Sequence, residues 1–409
     1  MEIKFIHLAD IHIGIENYGK INPKTGLNTR LEDFLRIFDY VIDYAIEHDI
    51  DLFIFAGDAF KFRNPTSTHQ KLFAQRIKRI SDNKIPTVLL IGNHDKSIRF
   101  GEASSLEIYD ILGIDNVYVV SRPERLEINT KSGKVQVICL PYVSPSMLLY
   151  QENYKHLEDK EIKRRLIDKI EEIIDGFIYI SDDNIPCILC SHIALDEACI
   201  GSEQNLMLGK DFSVPLSIFT KEKIDYVALG HIHKHQILSK NPPVIYSGSL
   251  ERIDFGEEKD EKGFIYGVLS NNNIKYDFIP VSAKPFITIK VDVTDVKDPT
   301  GKILRVIEKN KDLNGAIVRL IYTIKKEDQN LVNEGKIKQV LEKTDWYIII
   351  PKFLENYERT RLPDLNETIS SQPILALEKY LQMKEISEEK KKDLIDYTKE
   401  LLKNIQIDS

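Results

Sequence analysis

Short apolar runs alternating with amphipathic stretches dominate the first 280 or so residues of the chain. Ile3–Leu8, Leu52–Ala56, Thr87–Ile91, Val117–Val120, Val135–Leu140, Cys187–Cys190 and Ile224–Leu229 have strand length and strand composition. Several are apolar at successive positions, the pattern of strands covered on both faces, and predict the centre of a layered sheet. Between the first two, Leu31, Phe34, Leu35, Phe38, Val41, Ile42, Ala45 and Ile46 recur at helical spacing. Thr29 and Glu32 read as a capping box, so a helix of about five turns is expected from Thr29. The alternation as a whole predicts an α/β architecture. Val244–Tyr246, Gly263–Leu269 and Ile274–Ile279 follow without intervening helices and predict an antiparallel end to the sheet system.

Around Ser282–Pro285 the pattern resets. The next segment reads strand (286–293), helix (300–309), strand (316–324), helix (331–342), strand (346–350), a small α+β unit. Residues 354–372 lack periodicity and contain Pro363, Asn366 and Ser370, so a linker is expected. Leu375, Leu377, Tyr380 and Leu381, then Leu394, Ile395, Tyr397, Leu401 and Leu402, mark two closing helices. The expected divisions are a main domain at 1–282, a capping unit at 283–353, a linker at 354–372 and a helical hairpin at 373–409. Such a hairpin has too little core to stand alone and is expected to dock on something, its own chain included.

Length and composition narrow the class. At roughly 150 residues per domain, 409 residues imply two to three domains. Hydrophobic residues make up 42% and no apolar run approaches the roughly 20 residues of a membrane span, so a soluble protein is expected. The opening MEIKFIHLAD lacks the features of a secretory leader, which points to the cytoplasm. Four cysteines cannot form a disulfide scaffold. Cys187 and Cys190 have CxxC spacing, but three residues apart on a strand they face opposite sides, so packing is expected of them. Fifty-six basic and 64 acidic side chains leave a net charge of −8, which argues against coating nucleic acid by bulk electrostatics and leaves room for a local basic groove.

The chemistry sits where apolar strands stop. Asp10 and His12 follow IKFIHLA, Asp58 follows LFIFAG, Asn93 and His94 follow TVLLIG, His192 follows CILCS, and His231 and His233 follow YVALG. In open α/β sheets the crevice beyond the carboxyl ends of strands is the ligand site, so these side chains converge on one edge. His7, His48, His69, His156 and His235 lie outside that pattern or just past it and are read as structural. A donor set of Asp, Asn and His without Cys suits Mn²⁺, Fe²⁺ or Zn²⁺ better than Mg²⁺ or a structural zinc. A carboxylate able to bridge two ions implies phosphoester hydrolysis.

With these motifs, DIH, GD, GNHD, SH and GHIH, the chain resembles the calcineurin-like metallophosphoesterases. Within them it is similar to the SbcD-type DNA repair nucleases, on YSGSLERIDFGEEKDEKGFIY (246–266), the small unit after it and the terminal hairpin. The resemblance implies a layered βαβ sandwich with two metal ions, Mn²⁺ first and Fe²⁺ or Zn²⁺ as alternatives. Asp10, His12 and His233 would hold one ion, Asn93, His192 and His231 the other, and Asp58 would bridge. His94 would contact the scissile phosphate and protonate the departing oxygen, with Asp95 orienting its imidazole. The implied activity is exonuclease and endonuclease cleavage of DNA ends, hairpins and single strands in double-strand break repair. The implied partners are an SbcC-type, SMC-like ATPase bound by the hairpin and a second copy of the chain contacted through helices at 31–48 and 103–112. Nucleoid association in the cytoplasm follows.

One position departs from the family. Lys61, in GDAFKFRNPT, stands where many relatives carry a histidine or an acidic residue. With Arg63 it is a candidate DNA-backbone contact or a solvated loop charge. The same active-site residues would equally serve a stand-alone phosphoesterase acting on a nucleotide, cyclic nucleotide or phosphoprotein, a reading the negative net charge favours.

Overall fold

The computed structural model describes residues 2–96, 102–143, 157–199, 212–270, 273–310, 312–354, 373–382 and 387–405. Two six-stranded sheets face each other. In the first, Glu2–Leu8, Leu52–Phe55, Thr87–Leu90 and Val117–Val120 run parallel, and Gly263–Ser270 and Asn273–Pro280 close one edge antiparallel. In the second, Gly133–Leu140, Cys187–His192, Tyr226–Gly230 and Pro243–Tyr246 are parallel, flanked antiparallel by Glu124–Thr130 and Gln236–Lys240. The antiparallel end is therefore only partly as expected: Val244–Tyr246 lies parallel to the strand at 226–230 as a member of the second sheet.

The two-residue period of each strand divides its side chains between cores. Ile3, Phe5, Leu52, Ile54, Val88 and Leu90 point inward against Val135, Val137, Ile188, Cys190, Tyr226 and Ala228. The alternate positions, Ile6, Leu8, Phe53, Phe55 and Leu89, meet Leu31, Leu35, Phe38 and Val41 of the helix Thr29–Glu47 and Phe73 and Ile77 of the helix Ser67–Asp82. On the far side Leu189, Val227 and Leu229 meet Ile170 and Ile174 of the helix Asp159–Tyr179. The result is a four-layered helix–sheet–sheet–helix sandwich. Each fully buried Leu or Phe in it contributes about 1.5–3 kcal/mol. Cys187 falls in the outer core and Cys190 in the inner one, which separates the CxxC pair.

The first helix has the expected length but not the expected cap. Asn28, extended at φ −70° and ψ 136°, accepts the amide of Arg30. Glu32 turns aside to take Asn22 and Thr25, closing the preceding loop instead of a capping box. The helix expected over 103–112 is only the short turn Glu107–Ile111.

Phe286–Asp292, Ile317–Lys325 and Trp346–Leu354 form a separate three-stranded sheet with the helices Pro299–Lys309 and Glu334–Leu341 and a core of Ile289, Val291, Ile303, Ile307, Leu320 and Ile337. Tyr18, from the loop after the first strand, joins this cap to the sandwich by packing on Phe255, Phe286 and Trp346 at ring separations of 4.8–5.5 Å. Leu354–Ser409 is a second compact unit, in which Pro373–Gln382 and Glu388–Ile405 are helical and pack on each other. The expected linker lies, after residue 354, outside the described residues, as does His156.

His7 points into the seam between the sheets. It donates from Nε2 to the Leu229 carbonyl (3.1 Å), and its Nδ1 accepts from the Tyr226 hydroxyl (2.9 Å). Burial lowers its pKa from 6.5 to about 3. Below pH 6.5 the unfolded chain takes up a proton that the native chain refuses, so stability is lost as pH falls toward 3, by about 1.4 kcal/mol per pH unit. Urea titrations of His7→Gln are expected to show a pH slope shallower by about that amount between about pH 6 and 4. A wild-type slope in the variant would assign the acid sensitivity to other groups.

Candidate metal centre

The five strand-terminal loops meet at the carboxyl edge of both sheets. Backbone bonds zip the first two together, from Asp10 to Gly57, His12 to Asp58 and Ile13 to Ala59 (2.9–3.1 Å). Four of the candidate side chains sit on left-handed backbone, Asp10 (φ 54°), His12 (φ 53°), Asp58 (φ 61°) and His231 (φ 98°). Such positions cost on the order of 1–3 kcal/mol each and mark sites where the surroundings over-determine the chain. Close approach sets the rest: a Cβ on Gly57 would lie 2.2 Å from His192 Nδ1, and one on Gly92 2.1 Å from Asp58 Oδ1. Only glycine lets these loops pack against the ligands-to-be.

The expected metal ligands come together, with His94 beside them. Asp10, His12 and His233 form one group of donor atoms within 4.8 Å of one another, Asp10, Asp58 and His192 a second, and His12, Asp58 and His94 a third. Asn93 Oδ1 lies 2.9 Å from His192 Nε2 and 3.0 Å from His231 Nδ1. Asp58 Oδ2 stands 3.4 Å from His192 Nε2 and 3.7 Å from His12 Nε2, between the two clusters. That is the place of a bridging group.

The electrostatics call for cations. Asp10 and Asp58 are buried. Burial raises Asp10 to about 7, whereas Asp58, though equally desolvated, is held well below the usual carboxylate range by His192, His94 and His12. Burial opposes a proton on His192, yet Asp58 and Asp10 raise its pKa to about 9. His12 Nε2 faces His233 Nε2 at 2.9 Å, and His12 Nδ1 has no hydrogen-bond partner among the described residues. Imidazole lone pairs aimed at one another beside two carboxylates fit a divalent metal pair, and no cysteine is needed to complete the donor set.

His94 differs from the others. It is half-buried, its amide is tied to Asp58 Oδ1 (2.9 Å), and Nδ1–H donates to the Lys61 carbonyl (2.8 Å). A ring nitrogen of His94 also joins His12 and Asp58 in the third donor group. The orienting role expected of Asp95 is corrected here. Its carboxylate accepts the amides of Ala59, Phe60 and Gly92 (3.1–3.2 Å) and clasps the Asp58 and Asn93 loops, with burial and the Asp58 charge raising it to about 7. Backbone carbonyl geometry has no residue-type signature, and the role had come to Asp95 only from the family resemblance. The Lys61 side chain is partly buried, which lowers its pKa, while Asp58, Glu257 and Asp254 oppose the shift. Arg63, two residues on in the same loop, is exposed. Sequence reasoning missed Tyr142, whose ring lies 6.3 Å from that of His231, and the pair Glu257 and Lys262 behind His233.

Divalent cations in such a centre stabilise charge on a phosphoryl oxygen and supply a nucleophilic water at neutral pH. The chain's own contribution is a dry, pre-aligned set of Asp, Asn and His donors beside the partly exposed imidazole of His94. Together with the sandwich, this defines a metal-dependent phosphoesterase. The family model for calcineurin-like phosphoesterases matches residues 3–235, and the chain belongs to that family. Among curated relatives, the DNA double-strand break repair protein Mre11 of Archaeoglobus fulgidus is 24% identical over 390 residues, covering 92% of this chain and 80% of that one. The D subunit of nuclease SbcCD from Staphylococcus saprophyticus is 26% identical over 317 residues, 76% of this chain and 77% of the relative. Among solved structures, a dimetal phosphatase from Danio rerio is similar with a TM-score of 0.41 at 11% identity, over 68% of this chain and 95% of that one.

His94→Ala is expected to retain the wild-type metal content by inductively coupled plasma mass spectrometry. Hydrolysis of a small phosphodiester should fall by about 10²–10⁴-fold. Loss of metal with the imidazole would make His94 a ligand instead of a proton donor.

Proposed function

We propose that this protein is a two-metal DNA nuclease that processes double-strand ends and hairpins in DNA repair. The observation that carries the reading is extent. The family model ends at residue 235, whereas the match to the Archaeoglobus double-strand break repair protein covers 92% of this chain and so runs on beyond the sandwich. A phosphatase of small molecules needs no such additions. Asp10, His12 and His233 hold one ion, Asn93, His192 and His231 the other, Asp58 bridges, and His94 serves the leaving oxygen. Mn²⁺ is the proposed metal. Lys61 and Arg63, on the loop that carries the His94-orienting carbonyl, contact the DNA backbone.

The helices Pro373–Gln382 and Glu388–Ile405 form the docking element for an SbcC-type, SMC-like ATPase. Such a partner supplies the basic surface that a chain of net charge −8 lacks, and the active assembly contains two copies of this chain. The residues at 283–353 act as a DNA-facing cap. Among the described residues no helix is long and apolar enough to cross a membrane.

The test is cleavage with Mn²⁺ of end-labelled duplex, closed circular single-stranded DNA and a bis-aryl phosphodiester. Wild-type protein is expected to cut DNA, Asp58→Ala to cut nothing, and Lys61→Ala to lose more activity on DNA than on the diester. Cleavage of the diester alone, even with the ATPase and ATP present, would move the assignment to a nucleotide or phosphoprotein phosphoesterase. Truncation after Thr360 is expected to abolish co-purification with the ATPase and leave diester hydrolysis intact; retained complex would place the docking surface elsewhere.

A further inference from the structure

Behind the metal centre lies a buried ion pair that the catalytic scheme does not use. Glu257 ends the short turn Phe255–Glu257, which is started by the Asp254 side chain accepting the amide of Gly256 (2.6 Å). Its carboxylate is fully buried. Oε1 accepts Nδ1–H of His233 at 2.8 Å, while Oε2 accepts the amide of Ile253 at 3.0 Å and Nζ of Lys262 at 2.8 Å. Lys262 is itself buried and directs its other donors to the His233 carbonyl (3.0 Å) and Ser249 Oγ (2.8 Å). Two residues far from the ligand motifs thus grip His233 by its ring and its backbone at once.

Two of the neighbouring site histidines are held by backbone carbonyls instead. Nδ1 of His192 donates to the Ala56 carbonyl (2.7 Å) and Nδ1 of His94 to the Lys61 carbonyl, both neutral acceptors. A carboxylate acceptor makes a stronger, charge-assisted bond, fixes one tautomer and pushes electron density toward the opposite ring nitrogen. For His233 that nitrogen is Nε2, the atom that meets His12 Nε2.

We propose that Glu257, pinned by Lys262, is a positioning residue that locks His233 in the Nδ1–H tautomer and makes the Asp10–His12–His233 cluster the tighter of the two metal sites. The proposal rests on the two-metal reading above. It makes the centre asymmetric: one ion is held more tightly by a charge-reinforced set, and the other, on Asn93, His192 and His231, exchanges more readily.

Two measurements on the full chain separate the proposal from the reading it rests on. Calorimetric titration with Mn²⁺ is expected to show two unequal sites in the wild type. Glu257→Gln should weaken the tighter one by about 10–100-fold and leave the weaker one unchanged. Glu258→Gln is the control, because that neighbouring carboxylate holds Thr288 of the cap (2.9 and 2.6 Å) in the same turn. It should titrate like the wild type. Equal weakening of both sites in Glu257→Gln, or none, would overturn the proposal. In metal-free protein, long-range ¹H–¹⁵N spectra of the histidine rings should show His233, assigned by its loss in His233→Gln, as the Nδ1–H tautomer, shifting to a mixture in Glu257→Gln. If the wild type binds no Mn²⁺, the two-metal reading fails. The ring spectrum still decides for Glu257 if the tautomer shifts and against it if it does not.

Discussion

Everything at the carboxyl edge of this fold is arranged around two carboxylates taken out of water. Asp10 and Asp58 are buried side by side, and isolated ionised groups in such surroundings are costly unless opposite charge is brought to them. Burial pushes the Asp10 carboxyl up, and the Asp58 and Asp10 charges raise His192. A pair of divalent cations resolves the same conflict more completely, and the imidazole and amide donors of Asn93, His192, His231 and His233 stand ready around it. The centre is therefore built as an electrostatic trap for metal before it is anything else.

The price of building it is local strain, offset by the sandwich behind it. Left-handed backbone at Asp10, His12, Asp58 and His231 persists because parallel strands on both sheets fix the loop ends, and because Asp95 ties the amides of Ala59, Phe60 and Gly92 into one clasp. The inner core of Phe5, Ile54, Val88, Ile188 and Tyr226 keeps the two sheets in register, so five loops from distant parts of the chain arrive at one place. The cap leans on the same edge through Tyr18, eight residues beyond Asp10, and through the turn that carries Glu257 and Glu258. The cap's contacts and the metal site thus share a short stretch of chain.

The strands and the metal-binding loops were legible because each depends on residue type at short range. Apolar runs such as LFIFA and TVLLI announce central strands, and Asp, Asn and His directly after them announce a site. What the sequence hid depends on backbone atoms or on distant partners. The carbonyl of Lys61 orients His94, and no side chain signals it. Asn28, not the Thr29–Glu32 pair, starts the first helix because Glu32 is drawn to Asn22 and Thr25 across a loop. Val244–Tyr246 joins the second sheet in parallel through a pairing that hydrophobic pattern alone cannot orient. Glu257 reads as one more acidic residue in GEEKDEKG until folding buries it against His233.

If Asp58 stands between two metal ions, anomalous diffraction from crystals equilibrated with Mn²⁺ should show two peaks flanking its carboxylate, one against Asp10, His12 and His233 and the other against Asn93, His192 and His231. A single peak, or peaks that leave Asp58 to one side, would contradict that placement.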